Sequence, residues 1–121
     1  LYNNLVYAAL DSHLTELFPL IKGDVLDLGC GEMPYREWML QFCRSYTGID
    51  WSSTPHKLRA DVVADLNRPI PLDAEIADTI VSISTLEHLN NPANLFSESY
   101  RMLRPGGVLI LQVPFMWHVH E

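Results

Sequence analysis

Short apolar runs and stretches with helical spacing alternate along this chain. Five apolar runs of four to six residues have the composition of β-strands, with polar, glycine or proline residues between them. The first and last runs are apolar almost throughout, which indicates strands buried on both faces, as in a parallel sheet. The five predicted strands span residues 25–28, 46–50, 61–65, 79–84 and 108–113.

The N-terminal region has the pattern of an amphipathic helix over about residues 4–18. Its apolar positions are spaced four, three and four residues apart, which places them on one helical face. Pro19 cannot donate a backbone hydrogen bond, so we expect the helix to end or kink just before it. The apolar face consists of Leu10, Leu14, Leu17 and Ile21.

Two further helices are predicted between the strands. One begins at Pro34, a residue suited to a first helical position. The other has Asn91 as its N-cap and Pro92 in its first turn, and residues 105–107 end it. Strands that alternate with helices and long connections predict an α/β fold, in which an open, doubly wound parallel sheet of the Rossmann-like kind lies between two helical layers.

The composition of the 121 residues indicates one globular domain, with 48% hydrophobic and 19% charged residues. We assign this domain to residues 1–121 and its core to residues 23–113. A net charge of −7 disfavours nucleic acid as a partner, because the protein would repel phosphate groups. Cys30 and Cys43 form no CxxC pair, which argues against a disulfide framework and favours the cytoplasm. We predict neither a signal peptide nor a membrane span.

Acidic residues stand at or near the ends of three predicted strands. Asp27 lies two residues before Gly29, and Gly31 is the second glycine of the same turn. Asp50 ends the second strand and Asp65 the third. Because parallel strands end at one edge of a sheet, we expect these acids to line one site. The glycines permit backbone angles that a Cβ forbids, so this turn suits a nucleotide-like ligand.

These motifs in this order resemble the class I S-adenosylmethionine-dependent methyltransferases, in particular the small-molecule branch called methyltransferase type 11. The resemblance covers roughly residues 23–113. It implies the strand order 3-2-1-4-5, followed in the family by a sixth strand and an antiparallel seventh, which we expect this chain to lack. The segments that carry the resemblance are Val25–Gly31, Gly48-Ile49-Asp50, Ala64-Asp65-Leu66, Leu86-Glu87-His88 and Leu103-Arg104-Pro105-Gly106-Gly107.

The resemblance also implies a function. The chain would transfer a methyl group from S-adenosylmethionine to a small-molecule acceptor by in-line displacement, leaving S-adenosylhomocysteine. Asp50 would accept hydrogen bonds from the ribose hydroxyls, Asp65 would face the adenine amine, and Asp27 would hold the methionine ammonium. His88 is the candidate general base. The full set of expected cofactor-binding residues is Asp27, Gly29, Cys30, Gly31, Asp50, Trp51, Asp65, Leu66 and Ser84.

Simpler interpretations stand beside these roles. The glycine turn could connect a strand to a helix and bind nothing, and His88 could be a loop histidine bonded to backbone. Cys30 could have its pKa lowered near the helix start, or it could be a small filler against the sheet. Three C-terminal residues could be imagined as metal ligands, although we predict no metal site. They are His118, His120 and Glu121.

Two other functions remain open. One is a non-catalytic or truncated module that binds the cofactor without turnover. The other is an NAD(P)-dependent oxidoreductase, since a glycine turn with an acid about 20 residues later is also the dinucleotide fingerprint. The dinucleotide is disfavoured because the loop of residues 29–34 lacks the last small residue of its fingerprint. Met33 stands where many methyltransferases have a third glycine. Asp27 would also place a negative charge beside a pyrophosphate. Nothing in the sequence indicates an oligomeric state.

Overall fold

The computed structural model describes residues 16–31, 33–51 and 60–114. A sheet of five parallel strands forms its centre, with the strand order β3-β2-β1-β4-β5. This order and the open parallel sheet confirm the predicted fold class. The strands are β1 (Asp24–Leu28), β2 (Ser45–Asp50), β3 (Val62–Val63), β4 (Ala77–Ile83) and β5 (Leu103–Gln112).

The described residues also form two α-helices and two 3₁₀ turns, the first of which precedes β1. Helix α1 spans Arg36–Met39 and helix α2 spans Pro92–Met102, while the 3₁₀ turns cover Phe18–Leu20 and Leu86–His88. Most of the predicted N-terminal helix lies outside the described residues, and the part that is described ends in the first 3₁₀ turn, which contains Pro19. No helix in the described part of the chain is long and apolar enough to cross a membrane.

The two α-helices differ from their predicted bounds. Helix α1 is a single turn that begins at Arg36, because the residues before it, including Pro34, form a turn instead. Helix α2 has Asn91 as its N-cap and Pro92 in its first turn, as predicted, although the Asn91 side chain makes no capping hydrogen bond. The prediction that residues 105–107 end this helix is wrong, because Leu103 already pairs with Ala77 as part of β5.

The central strand β1 is buried on both faces, and this explains its continuous apolar run. Val25 packs on one face in a cluster that includes Met39 of α1. Leu26 packs on the other face in a cluster that includes Leu95 and Met102 of α2. Because successive residues of a strand point to opposite faces, both positions must be apolar. The sheet is therefore covered by helices on both sides, in three layers.

Charged residues cluster at the amino ends of β1 and β4, which is the edge of the sheet opposite the acidic strand ends. The Arg104 guanidinium donates to Asp24 Oδ2 at 3.0 Å and to Asp78 Oδ2 at 2.8 Å, and Arg44 donates to Asp24 at 2.6 Å. Hydrogen bonds from Arg44 and Ser45 hold the pKa of Asp24 well below its usual range. The pKa of Asp78 is also lowered, chiefly by the backbone N–H of Asp24.

We expect Arg104→Met to lower the free energy of unfolding at pH 7 by more than the control variant does, because it leaves two neighbouring carboxylates with one fewer cation. Arg68→Met is the matched control. Arg68 is exposed and lies 3.7 Å from Asp65, so its loss should cost less than about 0.5 kcal/mol. Urea unfolding of both variants measures the difference, and equal losses would contradict the assignment.

The pH dependence gives a second measure of the same cluster. Because the pKa values of Asp24 and Asp78 are lowered by folding, their stabilisation is present above about pH 4 and is lost as the pH falls below it. The difference in urea unfolding between the wild-type chain and Arg104→Met should therefore shrink as the pH falls from about 4 towards about 2.

Candidate functional site

The loop after β1 is held against the end of β2 by backbone hydrogen bonds. The N–H groups of Gly29 and Cys30 both donate to the Ile49 carbonyl, at 2.8 and 3.2 Å. Gly29 has φ +79°, and a Cβ built there would lie 2.1 Å from Thr85 Oγ1. Gly31 has φ +53°, but a Cβ there would meet no atom of the described residues within 4 Å. Only the first glycine is therefore required by both its backbone angle and its surroundings.

Asp50 joins this loop to the end of β2. The Gly31 N–H donates to Asp50 Oδ2 at 2.8 Å, and the Trp51 N–H donates to Asp50 Oδ1, also at 2.8 Å. The Asp50 side chain is half-buried. Because a carboxylate can accept about four hydrogen bonds, roughly two positions remain for a ligand's hydroxyl groups. The acid thus fixes the loop and keeps capacity to bind.

Asp65 is held in place by the chain that follows β3. Its Oδ1 accepts hydrogen bonds from the Asn67 backbone N–H at 2.9 Å and from Asn67 Nδ2 at 3.1 Å. This is an Asx turn, a local motif in which an aspartate side chain bonds the backbone two residues later. Sequence reasoning missed Asn67, although the Asp-Leu-Asn spacing is a signal that could have identified it.

A cavity of about 630 Å³ opens at the carboxyl ends of the strands. Its wall brings together seven of the ten residues predicted for the site, and these are Gly29, Asp50, Trp51, Asp65, Leu66, Ser84 and His88. Among the described residues, four that the sequence did not single out also line the wall, and these are Asn67, Thr85, Leu89 and Asn90. The remaining three predicted residues, Asp27, Cys30 and Gly31, do not line this cavity.

Asp27 is buried at 4% exposure within β1, and the Tyr46 hydroxyl donates to its Oδ2. Burial raises the pKa of Asp27 to about 6, and the nearby charge of Asp50 acts in the same direction, while the bond from Tyr46 acts in the opposite one. Burial also raises the pKa of Tyr46. This pairing was not foreseen from the sequence, because residues 27 and 46 meet only through the pairing of two strands.

Cys30 and Met33 pack over Gly48 of β2. A Cβ on Gly48 would lie 2.8 Å from Cys30 Sγ and 2.9 Å from Met33 Sδ. Burial raises the pKa of Cys30 to about 12, so the suggestion that the helix start lowers it is wrong and the filler interpretation is supported. Met33 has φ +57°, so this position keeps the left-handed backbone that a glycine would adopt, with the side chain packed against the sheet.

The end of β4 forms the other side of the cavity. Ser84 has φ +53° and is tied to β5 by two hydrogen bonds, because its Oγ donates to Gln112 Oε1 at 2.8 Å and its N–H donates to the Gln112 carbonyl at 3.0 Å. The 3₁₀ turn that follows presents His88, whose side chain is 43% exposed and whose Nε2 lies 3.6 Å from Glu87 Oε1. His88 thus reaches both the cavity and solvent. The suggested metal ligands near the C-terminus lie outside the described residues.

The chain matches the family described as methyltransferase domain over residues 26–111. That range contains nearly all of the sheet and every residue that lines the cavity. The chain therefore belongs to the S-adenosylmethionine-dependent methyltransferases of this family, as the sequence motifs suggested.

Particular relatives agree with this assignment. A Mycolicibacterium smegmatis protein named "Probable S-adenosylmethionine-dependent methyltransferase" is 33% identical over 97 residues, which are 75% of this chain and 38% of that protein. A Pseudomonas aeruginosa protein named ubiquinone biosynthesis O-methyltransferase is 32% identical over 99 residues, which are 72% of this chain and 42% of that protein. The chain thus spans about two fifths of the length of these relatives.

Solved structures share the fold. The structure of an S-adenosylmethionine-dependent methyltransferase from Mesorhizobium loti has a TM-score of 0.66 and 23% sequence identity, and the match covers 83% of this chain and 51% of that one. At this level of identity the likeness supports the fold alone.

We expect Gly29→Ala to lower the free energy of unfolding by about 2–5 kcal/mol, because the new Cβ would overlap Thr85 in a left-handed backbone. Gly31→Ala is the matched control, since it has the same backbone preference with open space around it, and it should cost only about 1 kcal/mol. Urea unfolding of the two variants checks the difference. Equal losses would show that Thr85 does not constrain the loop.

We expect the stability of the wild-type chain to fall as the pH rises from about 4 to about 6, because Asp27 has a higher pKa in the folded than in the unfolded chain. The folded chain then binds more protons in this range, so raising the pH favours unfolding, by up to roughly 3 kcal/mol. Asp27→Asn should remove this decline while keeping an oxygen to accept the bond from Tyr46. Unfolding curves across this pH range measure it, and an unchanged slope would contradict the assignment.

Proposed function

We propose that the cavity binds S-adenosylmethionine and that the protein transfers its methyl group to a small-molecule acceptor by in-line displacement. The observation that carries this proposal is the arrangement of Asp50 and Asp65 on one cavity wall, beside a glycine loop whose N–H bonds Asp50. Two acids from successive strands suit a ligand with a diol at one point and an amine at another. Membership of the methyltransferase family supports S-adenosylmethionine as that ligand.

The cavity fits such a cofactor in size and in chemistry. Its volume of about 630 Å³ lies within the range of small-molecule sites, roughly 300–1,000 Å³. Asp50 would accept hydrogen bonds from the ribose hydroxyls with the capacity that the loop leaves free. Asp65 would accept from the adenine amine. Leu66 and Leu89 supply apolar wall, and Trp51 supplies a flat side chain beside Asp50.

Asp27 would bind the ammonium group at the amino acid end of the cofactor, directly or through a water molecule. It is a buried acid, and the groups that face it include Asp50 and the Tyr46 hydroxyl but no cation among the described residues. A buried carboxylate without a cationic partner is costly, so a ligand ammonium would stabilise its ionised form. The position of Asp27 under the glycine loop is consistent with that role.

The chemistry requires alignment more than a reactive side chain. The cofactor, when bound, supplies a methyl group on a positively charged sulfur. The residues of this chain would orient the cofactor and exclude water from the reacting groups. His88 would accept a proton from an acceptor that must lose one, since its imidazole is exposed to the cavity. His88 Nε2 also lies 3.6 Å from Glu87 Oε1, so Glu87 faces the same imidazole.

A small-molecule acceptor is supported by two features. The net charge of −7 opposes binding to nucleic acid. The curated relative from Pseudomonas aeruginosa is named for O-methylation in ubiquinone biosynthesis, so we propose acceptors of metabolite size for this chain as well. A cytoplasmic location remains part of the same proposal.

The cofactor assignment is tested by thermal unfolding with S-adenosylhomocysteine and with NADH. At a hundred times its Kd, a ligand stabilises the folded state by about 2.7 kcal/mol, or roughly 10 °C in Tm for a domain of this size. We expect that shift with S-adenosylhomocysteine and none with NADH. The reverse pattern would indicate an oxidoreductase, and no shift with either would refute cofactor binding by this chain. A shift without methyl transfer to any acceptor would favour the non-catalytic module.

Asp50→Ala tests the ribose contact. Loss of charged hydrogen bonds worth about 1.5–3 kcal/mol should remove half or more of the S-adenosylhomocysteine shift at the same ligand concentration. Asp73→Ala is the matched control, because Asp73 is an exposed acid away from the cavity wall and its loss should leave the shift intact. Far-ultraviolet circular dichroism verifies that both variants fold. An undiminished S-adenosylhomocysteine shift in Asp50→Ala would refute the proposed contact with the ribose.

A further inference from the structure

The Tyr46 side chain reaches Asp27 over a position on the face of the sheet that carries no side chain. The direct neighbour of Asp27 in β2 is Gly48, which has no side chain, and Tyr46 lies two residues earlier on the same face. Side chains at such diagonal positions of adjacent strands can meet when one of them is long. The Tyr46 hydroxyl accordingly donates to Asp27 Oδ2. Tyr46 lies outside the segments that carry the resemblance to the family.

The ring of Tyr46 also contacts a cation. The Arg36 guanidinium at the start of α1 lies 5.9 Å from the ring centroid, within the range of a cation–π contact. Tyr46 is half-buried and packs against the apolar cluster around Val25. The phenol is thus a fixed donor, and the helix that follows the glycine loop helps to fix it.

The surroundings of Asp27 make this donor important. Asp50 faces Asp27 from the end of β2, and the charge of Asp50 disfavours a second negative charge there. The nearby Cys30 thiol of the loop has its pKa raised to about 12, chiefly by burial, so it is a neutral neighbour. Val81 of β4, its neighbour on the other side, is apolar. Among the described residues, Tyr46 is the group that favours the ionised carboxyl. Without this hydroxyl, Asp27 would be subject only to burial and the charge of Asp50, and both of these raise its pKa.

We propose that Tyr46 is a positioning residue for the cofactor: its hydroxyl keeps the Asp27 carboxylate ionised for the ammonium group of S-adenosylmethionine and thereby sets the pH above which the site binds. This inference rests on the proposed function. It adds a residue outside the cavity wall that acts only through Asp27. It also makes cofactor affinity fall in mild acid, since a protonated Asp27 has no charge to offer an ammonium.

The test is the affinity of S-adenosylhomocysteine for the wild-type chain and Tyr46→Phe, measured by calorimetry from pH 5.5 to 8.5. We expect the wild-type affinity to decline as the pH falls through about 6. In Tyr46→Phe the midpoint should rise by about one pH unit, so that binding is roughly fivefold weaker at pH 6 than in the wild type, while at pH 8.5 any difference is smaller. An unchanged midpoint, with affinity lowered equally at every pH, would mean a merely structural role and overturn the proposal.

Two further variants keep the test decisive. Tyr100→Phe makes the same chemical change at a side chain that is 88% exposed on α2, and it should keep the wild-type midpoint. Asp27→Asn should bind weakly with no midpoint near pH 6. If Asp27→Asn keeps the wild-type pH dependence, Asp27 is not the titrating group and the proposal falls, even where Tyr46→Phe fails to fold.

Failure of the proposed function is distinguishable from failure of this inference. If the wild-type chain binds S-adenosylhomocysteine at no pH, the proposed function fails, and the coupling of Tyr46 to Asp27 is judged on the unliganded chain. Tyr46→Phe should then extend the pH range over which stability declines from about 4–6 to about 4–7. A decline over the wild-type range would overturn the coupling as well.

Discussion

The close contact between the loop after β1 and the end of β2 is the constraint on which the site depends. Two successive N–H groups of the loop donate to the Ile49 carbonyl, and a third donates to Asp50. Gly29 is pressed against Thr85 so closely that a methyl group would not fit. These contacts place the loop, the acid of β2 and the turn after β4 around one space. They leave part of the Asp50 carboxylate available, which is why a single residue can hold the loop and still bind a ligand.

The two edges of the sheet carry their charges differently. At the amino ends, Asp24 and Asp78 are paired with arginines, and their pKa values are lowered. At the carboxyl ends, Asp50 and Asp65 are bonded by backbone and amide N–H groups, with no cation closer than the 3.7 Å between Arg68 and Asp65 among the described residues. A carboxylate that accepts hydrogen bonds from neutral donors has capacity left for further donors from a ligand. The sheet thus has one edge where acids and arginines pair with each other, and an opposite edge where the proposed site lies.

Asp27 shows how a buried acid can link stability to binding. Its high pKa means that ionising it costs folding free energy at neutral pH. An ammonium group of a ligand would offset part of this free-energy cost. In the absence of ligand, the hydrogen bond from the Tyr46 hydroxyl lowers the cost. Residues at binding sites often destabilise the unliganded fold, because the group that would pair with them belongs to the ligand. Met33 replaces the third glycine that many methyltransferases have, and it changes the loop little. Its side chain packs over Gly48, while its backbone keeps the left-handed angle of a glycine.

The sequence by itself determined the strands, their buried faces and the edge where the acids meet, because apolar periodicity and strand ends are local signals. It also indicated seven of the residues that line the cavity. Only the tertiary structure decided the short length of α1, the early start of β5 at Leu103, the burial of Asp27 away from the cavity wall and its bond from Tyr46. Each of these depends on which residues of separate strands come to lie side by side. That register arises from packing the whole sheet, and no stretch of the chain encodes it alone.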